Sequence, residues 1–435
     1  MHRTTLSNGI VVMVAENFMA DIIAARIFVR AGSRWEKAHQ AGLSHLLSAV
    51  LTKGTTKRSS LEIAEQVESL GASLSTDTTA DYFLISLKSV SADFQPMLEL
   101  ANELLRSPTF PEQELDLERR LTLQAIRSQQ EQPFTVAFDQ LRHMMYRDHP
   151  YALSGLGTEQ TVAQLTQADL KDYHQTHFRP DNLIISLAGH IEVEAAIALV
   201  ENMMGDWRIP DVPLSALKLP SIPYVPCRKA ITQDTQQSII MLGYFGPSVV
   251  EEPLAEAPPT SPPIYPLSPN QDYAVLKLIN TYLGNGLSSR LFIELREKRG
   301  LAYEVSAFYS TRLGSAQFVA YMGTAPDNTA IGLQGLQTEI DRLRATSLTQ
   351  EELQAAKNKM LGQYALGKQT NAQIAQTFGW YETLGLGIEF DGYFQKQIAE
   401  TSAEMVQTVA QRYLTDPYVS LVGPTVAVHE LADGS

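Results

Sequence analysis

Two stretches of this chain follow one plan. Thr166 to Phe178 reads as an amphipathic helix opening Thr-x-x-Asp, and it runs into the apolar strand Leu183-Ile184-Ile185-Ser186-Leu187-Ala188-Gly189. Thr401 to Tyr413 repeats that helix, opening Thr-x-x-Glu, and runs into Tyr418-Val419-Ser420-Leu421-Val422-Gly423. The two copies stand about 235 residues apart. A third match keeps the order: Pro111-Glu112-Gln113-Glu114-Leu115 opens one long helix, and Thr349-Gln350-Glu351-Glu352-Leu353 opens another. A single match of this kind is uninformative, because helix starts are alike in composition. Three in the same order indicate a duplicated unit.

Each unit alternates short β-rich runs with longer helices. In the first, Ile22 to Val29, Tyr82 to Val90 and Leu183 to Ala188 read as strands, with helices over 59–70, 93–106 and 111–130. Ser59-x-x-Glu62 caps the first of these helices and Gly71 stops it. The expected fold is α+β, two duplicated domains, each a mixed, mostly antiparallel sheet with helices on one face. The expected limits are 1–207 and 229–435, joined by a linker over 208–228 that carries Pro210, Pro213, Pro220, Pro223 and Pro226. Residues 247–270 hold eight prolines together with Glu251, Glu252 and Glu256. Such a stretch cannot carry a hydrogen-bond ladder, and it reads as an exposed insertion between a strand and the helix from Gln271, with a proline-motif docking site as the alternative.

Composition excludes several classes of function. With 44% apolar and 19% charged residues, the 435-residue chain can bury a core. Its net charge of −14 opposes binding to nucleic acid or anionic membranes and leaves room for basic peptides. Cys227 is the only cysteine, so neither an intrachain disulfide nor a thiolate zinc cluster can form. No run approaches the ~20 apolar residues of a membrane span. The N-terminus passes directly into Ile10-Val11-Val12-Met13-Val14 without a signal-peptide pattern, and the expected location is cytoplasmic.

The segment Gly42-Leu43-Ser44-His45-Leu46-Leu47-Ser48-Ala49, followed by Gly54-Thr55, carries the first chemical signal. It resembles the active-site helix of the pitrilysin and mitochondrial-processing-peptidase family, inverted zinc metallopeptidases with a His-x-x-Glu-His motif. On a helix, positions i and i+4 share a face and can grip one Zn²⁺, while the Glu at i+3 acts as base. His45 stands at the first ligand position, but Ser48 replaces the base and Ala49 the second His. The family's third ligand is a Glu seven residues after another acidic residue. Glu118 matches that acid, and Ala125 occupies the ligand position. A serine hydroxyl is no carboxylate base, and a methyl group donates no electron pair. The expectation is therefore no metal in this chain. His174 and His177 fall in a helix-to-strand entry ending Arg179-Pro180-Asp181-Asn182, which also resembles the family and is structural there.

The second half holds Ser289-Arg290-Leu291, then Leu295-Arg296-Glu297-Lys298-Arg299-Gly300-Leu301-Ala302-Tyr303. Without a family, this is a helix stopped by Gly300 and an aromatic strand, with Arg296 a solvated cation and Tyr303 a strand core residue. The resemblance implies more, since the half of the family's clamshell opposite the zinc carries an Arg and a Tyr with this spacing. A guanidinium clamps a peptide carbonyl, and a phenol donates to an oxygen that gains negative charge. Gly284-Asn285-Gly286 is no phosphate loop, because no Gly-Lys-Ser/Thr follows.

Loss of the metal positions beside retention of Arg296 and Tyr303 implies a division of labour. The expected role is the non-catalytic subunit of a heterodimeric zinc-dependent peptidase, inactive alone, with zinc in the partner and Arg296 and Tyr303 acting in trans on unstructured peptides. The partner would be a homologous subunit with an intact His-x-x-Glu-His, and the chain could pair with itself when purified alone. The alternative is an inactive scaffold, like the core proteins of the respiratory cytochrome complex, with Arg296 and Tyr303 as relics.

Overall fold

The computed structural model describes residues 1–251 and 269–432. The first half runs β1 (His2–Thr5), β2 (Val11–Glu16), β3 (Ile22–Val29), α1 (Leu43–Val50), α2 (Ser60–Ser69), β4 (Ser73–Thr78), β5 (Phe83–Val90), α3 (Phe94–Arg106), α4 (Glu112–Gln130), α5 (Pro133–Tyr146), α6 (Glu159–Gln164), α7 (Gln167–His177), β6 (Leu183–Gly189) and α8 (Val193–Met204). The second runs β7 (Arg228–Thr232), β8 (Ser238–Gly246), α9 (Gln271–Gly284), β9 (Glu304–Tyr309), β10 (Ala316–Thr324), α10 (Thr329–Ala345), α11 (Gln350–Leu366), α12 (Asn371–Thr383), α13 (Phe390–Glu400), α14 (Ala403–Tyr413), β11 (Tyr418–Gly423) and α15 (Thr425–Ala432). Most of the insertion expected at 247–270 lies outside the described residues. Its two ends are bridged, Val250 to Pro269.

Among the described residues the strands form two sheets, β1-β2-β6-β3-β5-β4 and β7-β11-β8-β10-β9. Apart from the extra edge strand β1, the orders coincide, with β2, β6, β3, β5 and β4 matching β7, β11, β8, β10 and β9. The strand directions repeat as well: β2 pairs parallel to β6 as β7 does to β11, and the other matched pairs are antiparallel. The duplication read from helix starts is thus a duplicated topology.

The helix caps show where the repeat was read correctly and where it was not. Thr166 caps α7 reciprocally with Asp169, and Thr349 caps α11 with Glu352. The cap expected at Thr401 falls one residue later, where Ser402 accepts from the Met405 amide. Thr401 is already committed, its hydroxyl donating to the Gln397 carbonyl at the end of α13 (2.7 Å).

Each sheet carries its own half's helices on one face. Ile23, Ala25, Ile27 and Val29 of β3 pack with α1, α3 and α7 residues, and Ile240, Leu242 and Tyr244 of β8 pack with α9 and α10 residues. The opposite faces are apolar too, and the halves trade helices there. Ala137, Leu141 and Met145 of α5, from the first half, pack on Ile239, Met241, Tyr418 and Val422 of the second sheet. Phe378 and Trp380 of α12, from the second half, pack on Val11, Met13, Phe28 and Ile184 of the first. Burial on both faces explains why β6 and β8 read as nearly unbroken apolar runs.

Close approach in this exchange requires glycine. A Cβ at Gly379 of α12 would stand 2.4 Å from Cε2 of Phe28 and 2.9 Å from Cβ of Ser186. Phe28 is fully buried and cannot withdraw. Gly379→Ala is therefore expected to destabilise the fold by about 1–3 kcal/mol through overpacking. An unchanged denaturant midpoint for that variant would show that α12 rests on the first sheet loosely.

Candidate functional site

The helix α1 is anchored by one carboxylate. Glu36 accepts from the Gly42 amide (2.9 Å) and the Ser44 amide (2.7 Å), two donors that a helix start leaves unpaired. Burial raises the Glu36 pKa to about 7 even though these bonds oppose the shift. Gly42 turns the chain at φ 94, and a Cβ there would meet the Leu156 carbonyl oxygen at 2.5 Å.

On this helix His45 is half-buried, and burial lowers its pKa against the attraction of Asp77 and Glu118. Ser48 is buried, and its carbonyl accepts from the Thr76 hydroxyl (2.7 Å). Ala49 is half-buried, while Ala125 lies exposed on α4, the helix that packs beside α1. Glu118 is engaged by the Lys53 ammonium at 3.0 Å. Of the positions the family uses for zinc, only His45 offers an electron pair. No group of three His, Cys, Asp or Glu side chains suited to a metal exists among the described residues. The donor set does not fit zinc.

Arg296 and Tyr303 stand in the other half, at the edge of the second sheet. The chain enters through a π-helical turn, Phe292–Glu297, in which the Lys298 amide reaches back to the Ile293 carbonyl (3.0 Å). Gly300, at φ 62, closes it, donating to the Arg296 carbonyl (3.0 Å), while the Leu301 amide bonds to Leu295 (2.8 Å). The segment read as an ordinary helix is therefore π-helical over most of its length, Phe292–Glu297. The Tyr303 amide is tied to the Gly323 carbonyl (2.9 Å), one residue before β9 begins.

The two side chains are left free. Tyr303 is 64% exposed, so it is no strand core residue. Arg296 is exposed, its guanidinium 4.9 Å from the Phe292 ring, and neither side chain has a hydrogen-bond or ion-pair partner among the described residues. Nearby Arg290 shows the contrast, bound to Glu294 (3.0 Å) and Glu339 (2.7 Å).

Between the halves lies a cavity of about 610 Å³ whose walls include His45, Asp81, Tyr151, Arg142, Arg312 and Trp380. It was not visible in the sequence, because Arg312 occurs in Thr311-Arg312-Leu313-Gly314, a loop with no motif around it.

Comparison with known proteins decides the family. Residues 11–159 match the family model described as insulinase (peptidase family M16), and residues 164–360 match that of the peptidase M16 inactive domain. The chain belongs to the peptidase M16 family. A crystal structure of a peptidase M16 inactive domain from Pseudomonas fluorescens superposes with a TM-score of 0.87 at 26% identity, covering 98% of each chain. A protease from Helicobacter pylori has the same fold as this chain at 20% identity and a TM-score of 0.87, over 97% of this chain and 98% of that one. The Bacillus subtilis protein named uncharacterized zinc protease YmxG is 26% identical over 97% of this chain and 98% of its own length. An uncharacterized zinc protease of Rickettsia felis is 25% identical over 86% of this chain and 85% of its own. Within this M16 chain, no helix among the described residues is long and apolar enough to cross a membrane.

Proposed function

We propose that this chain is the non-catalytic subunit of a heterodimeric zinc-dependent peptidase, with 1–207 and 229–435 as its two domains. Membership of the M16 family, whose second model is that of an inactive domain, supports the coarse reading. The observation that carries the finer one is the freedom of Arg296 and Tyr303. A cation without an acidic partner, in contact with the Phe292 ring, and an aromatic ring left largely in solvent add little to this fold, and they lie just before the edge strand of the half that does not hold α1. In a closed pair, the Arg296 guanidinium would bind a carbonyl of an extended peptide, and the Tyr303 hydroxyl would donate to the carbonyl oxygen under attack. The partner brings the metal and the base, which Ser48, Ala49 and Ala125 do not supply.

The test uses this chain, a homologous chain with an intact His-x-x-Glu-His, and their equimolar mixture, each assayed for zinc and for cleavage of an unstructured basic peptide. Zinc is expected in the partner, and activity only in the mixture. Stoichiometric zinc and activity in this chain alone would overturn the reading of its metal positions. A mixture that is inert although both chains are folded and associated would make the chain a scaffold.

A further inference from the structure

The cavity between the halves holds one guanidinium that no carboxylate among the described residues pairs with. Its floor holds Asp81, whose Oδ1 accepts from Arg34 (3.0 Å) and from the Tyr151 hydroxyl (2.6 Å). Arg142, on the wall, donates to the Leu153 carbonyl (3.0 Å) and to Asp139. Arg312 enters from the second half, its guanidinium stacked 4.7 Å from the Tyr151 ring. It has no ion-pair partner among the described residues, and its Nε, like that of Arg142, is buried without an acceptor. Arg142, Arg312 and Asp81 line the cavity; Arg34 behind Asp81 and Asp139 behind Arg142 complete two ion pairs, and Arg312 is left over. His149, beside them, adds no charge at neutral pH, since burial and then Arg34 push its pKa down to about 4.

Arg312 is half-buried with its Nε shielded from water and without an acceptor, a cost that a ligand supplying one would remove. The ligand's charge follows from Arg312. One unmatched guanidinium calls for one negative charge, and a planar carboxylate presents two oxygens to its fork. A phosphate dianion would bring more charge than the site balances. The remaining walls, with Ser33 and Ser310 beside Trp380 and Leu384, offer hydrogen-bonding and apolar surface, as the end of a peptide requires.

We infer that the cavity between the halves is a carboxylate-binding site in which Arg312 receives the carboxylate of a peptide, from its C-terminus or from an acidic side chain. The peptide as carrier rests on the role proposed above; the anion site rests on Arg312. Arg312 lies on the loop between β9 and β10 and His45 on α1, so the position that lost its metal donors shares a chamber with a fixed organic cation.

The experiment uses the full chain alone and three labelled, N-acetylated hexapeptides of Ala, Gly and Ser, read by fluorescence anisotropy. One has a free C-terminus, one a C-terminal amide, and one an amide with a single internal Glu. The free acid or the Glu peptide, whichever source fits the cavity, is expected to bind about tenfold more tightly than the plain amide. Arg312→Gln should level that difference, and Arg312→Lys should keep part of it, with thermal melting showing that both variants fold. Equal binding of all three peptides, no binding of any, or a preference that survives Arg312→Gln would each overturn the inference. The readout does not involve hydrolysis. An active mixture with no carboxylate preference removes the anion site alone, and an inert mixture with the preference intact removes the complementing role alone.

Discussion

Tyr303→Phe in the reconstituted pair is expected to lower turnover about a hundredfold while leaving the partner's zinc content and this chain's melting temperature unchanged. The magnitude is that of deleting one donor aimed at a carbonyl oxygen that gains charge, on the order of 10²–10³ in kcat. The unchanged stability follows from the exposure of the ring, which contributes no core packing. Arg296→Ala should act mainly on KM, because a clamp on a peptide carbonyl holds the substrate before and during reaction alike. Arg296→Lys keeps the charge but loses the fork and should recover only part of the affinity. Steady-state kinetics on the mixture separate these effects. If both variants cleave as well as the parent, Arg296 and Tyr303 are relics and the scaffold reading takes over.

The second large effect concerns acid stability. His149, His174 and His177 are buried, and burial pushes each pKa down to about 4. His174 stacks on Phe178 at 4.4 Å and His177 lies 4.4 Å from Tyr173, and for His174 burial outweighs the one backbone hydrogen bond, at Leu105, that favours the charged ring. An unfolded chain takes up these protons near pH 6.5, whereas the folded chain does so only near 4. Their contribution is complete above about pH 6.5 and is lost as the pH falls toward 4, at up to about 1.4 kcal/mol per pH unit for each group. Glu36 works in the opposite direction. Its pKa, raised to about 7, lets the folded state bind a proton first, so it adds stability as the pH falls from 7 toward its unfolded value. Three protons against one decide the sign. The urea midpoint should fall from pH 6.5 to pH 4.5, and a midpoint that stays level or rises would show that these histidines are charged in the native state.

Local order was readable because local chemistry writes it. Ile22 to Val29 and Leu183 to Ala188 are strands where β-branched runs predicted them, and Ser59 and Thr166 cap helices as their Glu62 and Asp169 partners required. Thr401 misled because its hydroxyl had two possible uses, and the sequence does not say which carbonyl lies nearby. The exchange of α5 and α12 was hidden for a similar reason. Periodicity tells which face of a helix is apolar, never which sheet will cover it. At the site, that Ser48, Ala49 and Ala125 carry neither imidazole nor carboxylate is a matter of residue type and needs no structure. The exposure of Tyr303 was not, since an aromatic beside a β-rich run reads as core until the strand is seen to start at Glu304. Arg312 left no trace, because its significance is a partner it lacks.

The traded helices bear on how such a molecule could admit a peptide. Withdrawing either sheet from the other would strip α5 from Met241 and Val422 and α12 from Phe28 and Ile184, exposing two apolar faces at once. A hinge between the halves would therefore cost what partial unfolding costs. In the heterodimer proposed above, the chain is expected to move as one jaw, so that a change in the width of the peptide chamber would fall along its boundary with the partner.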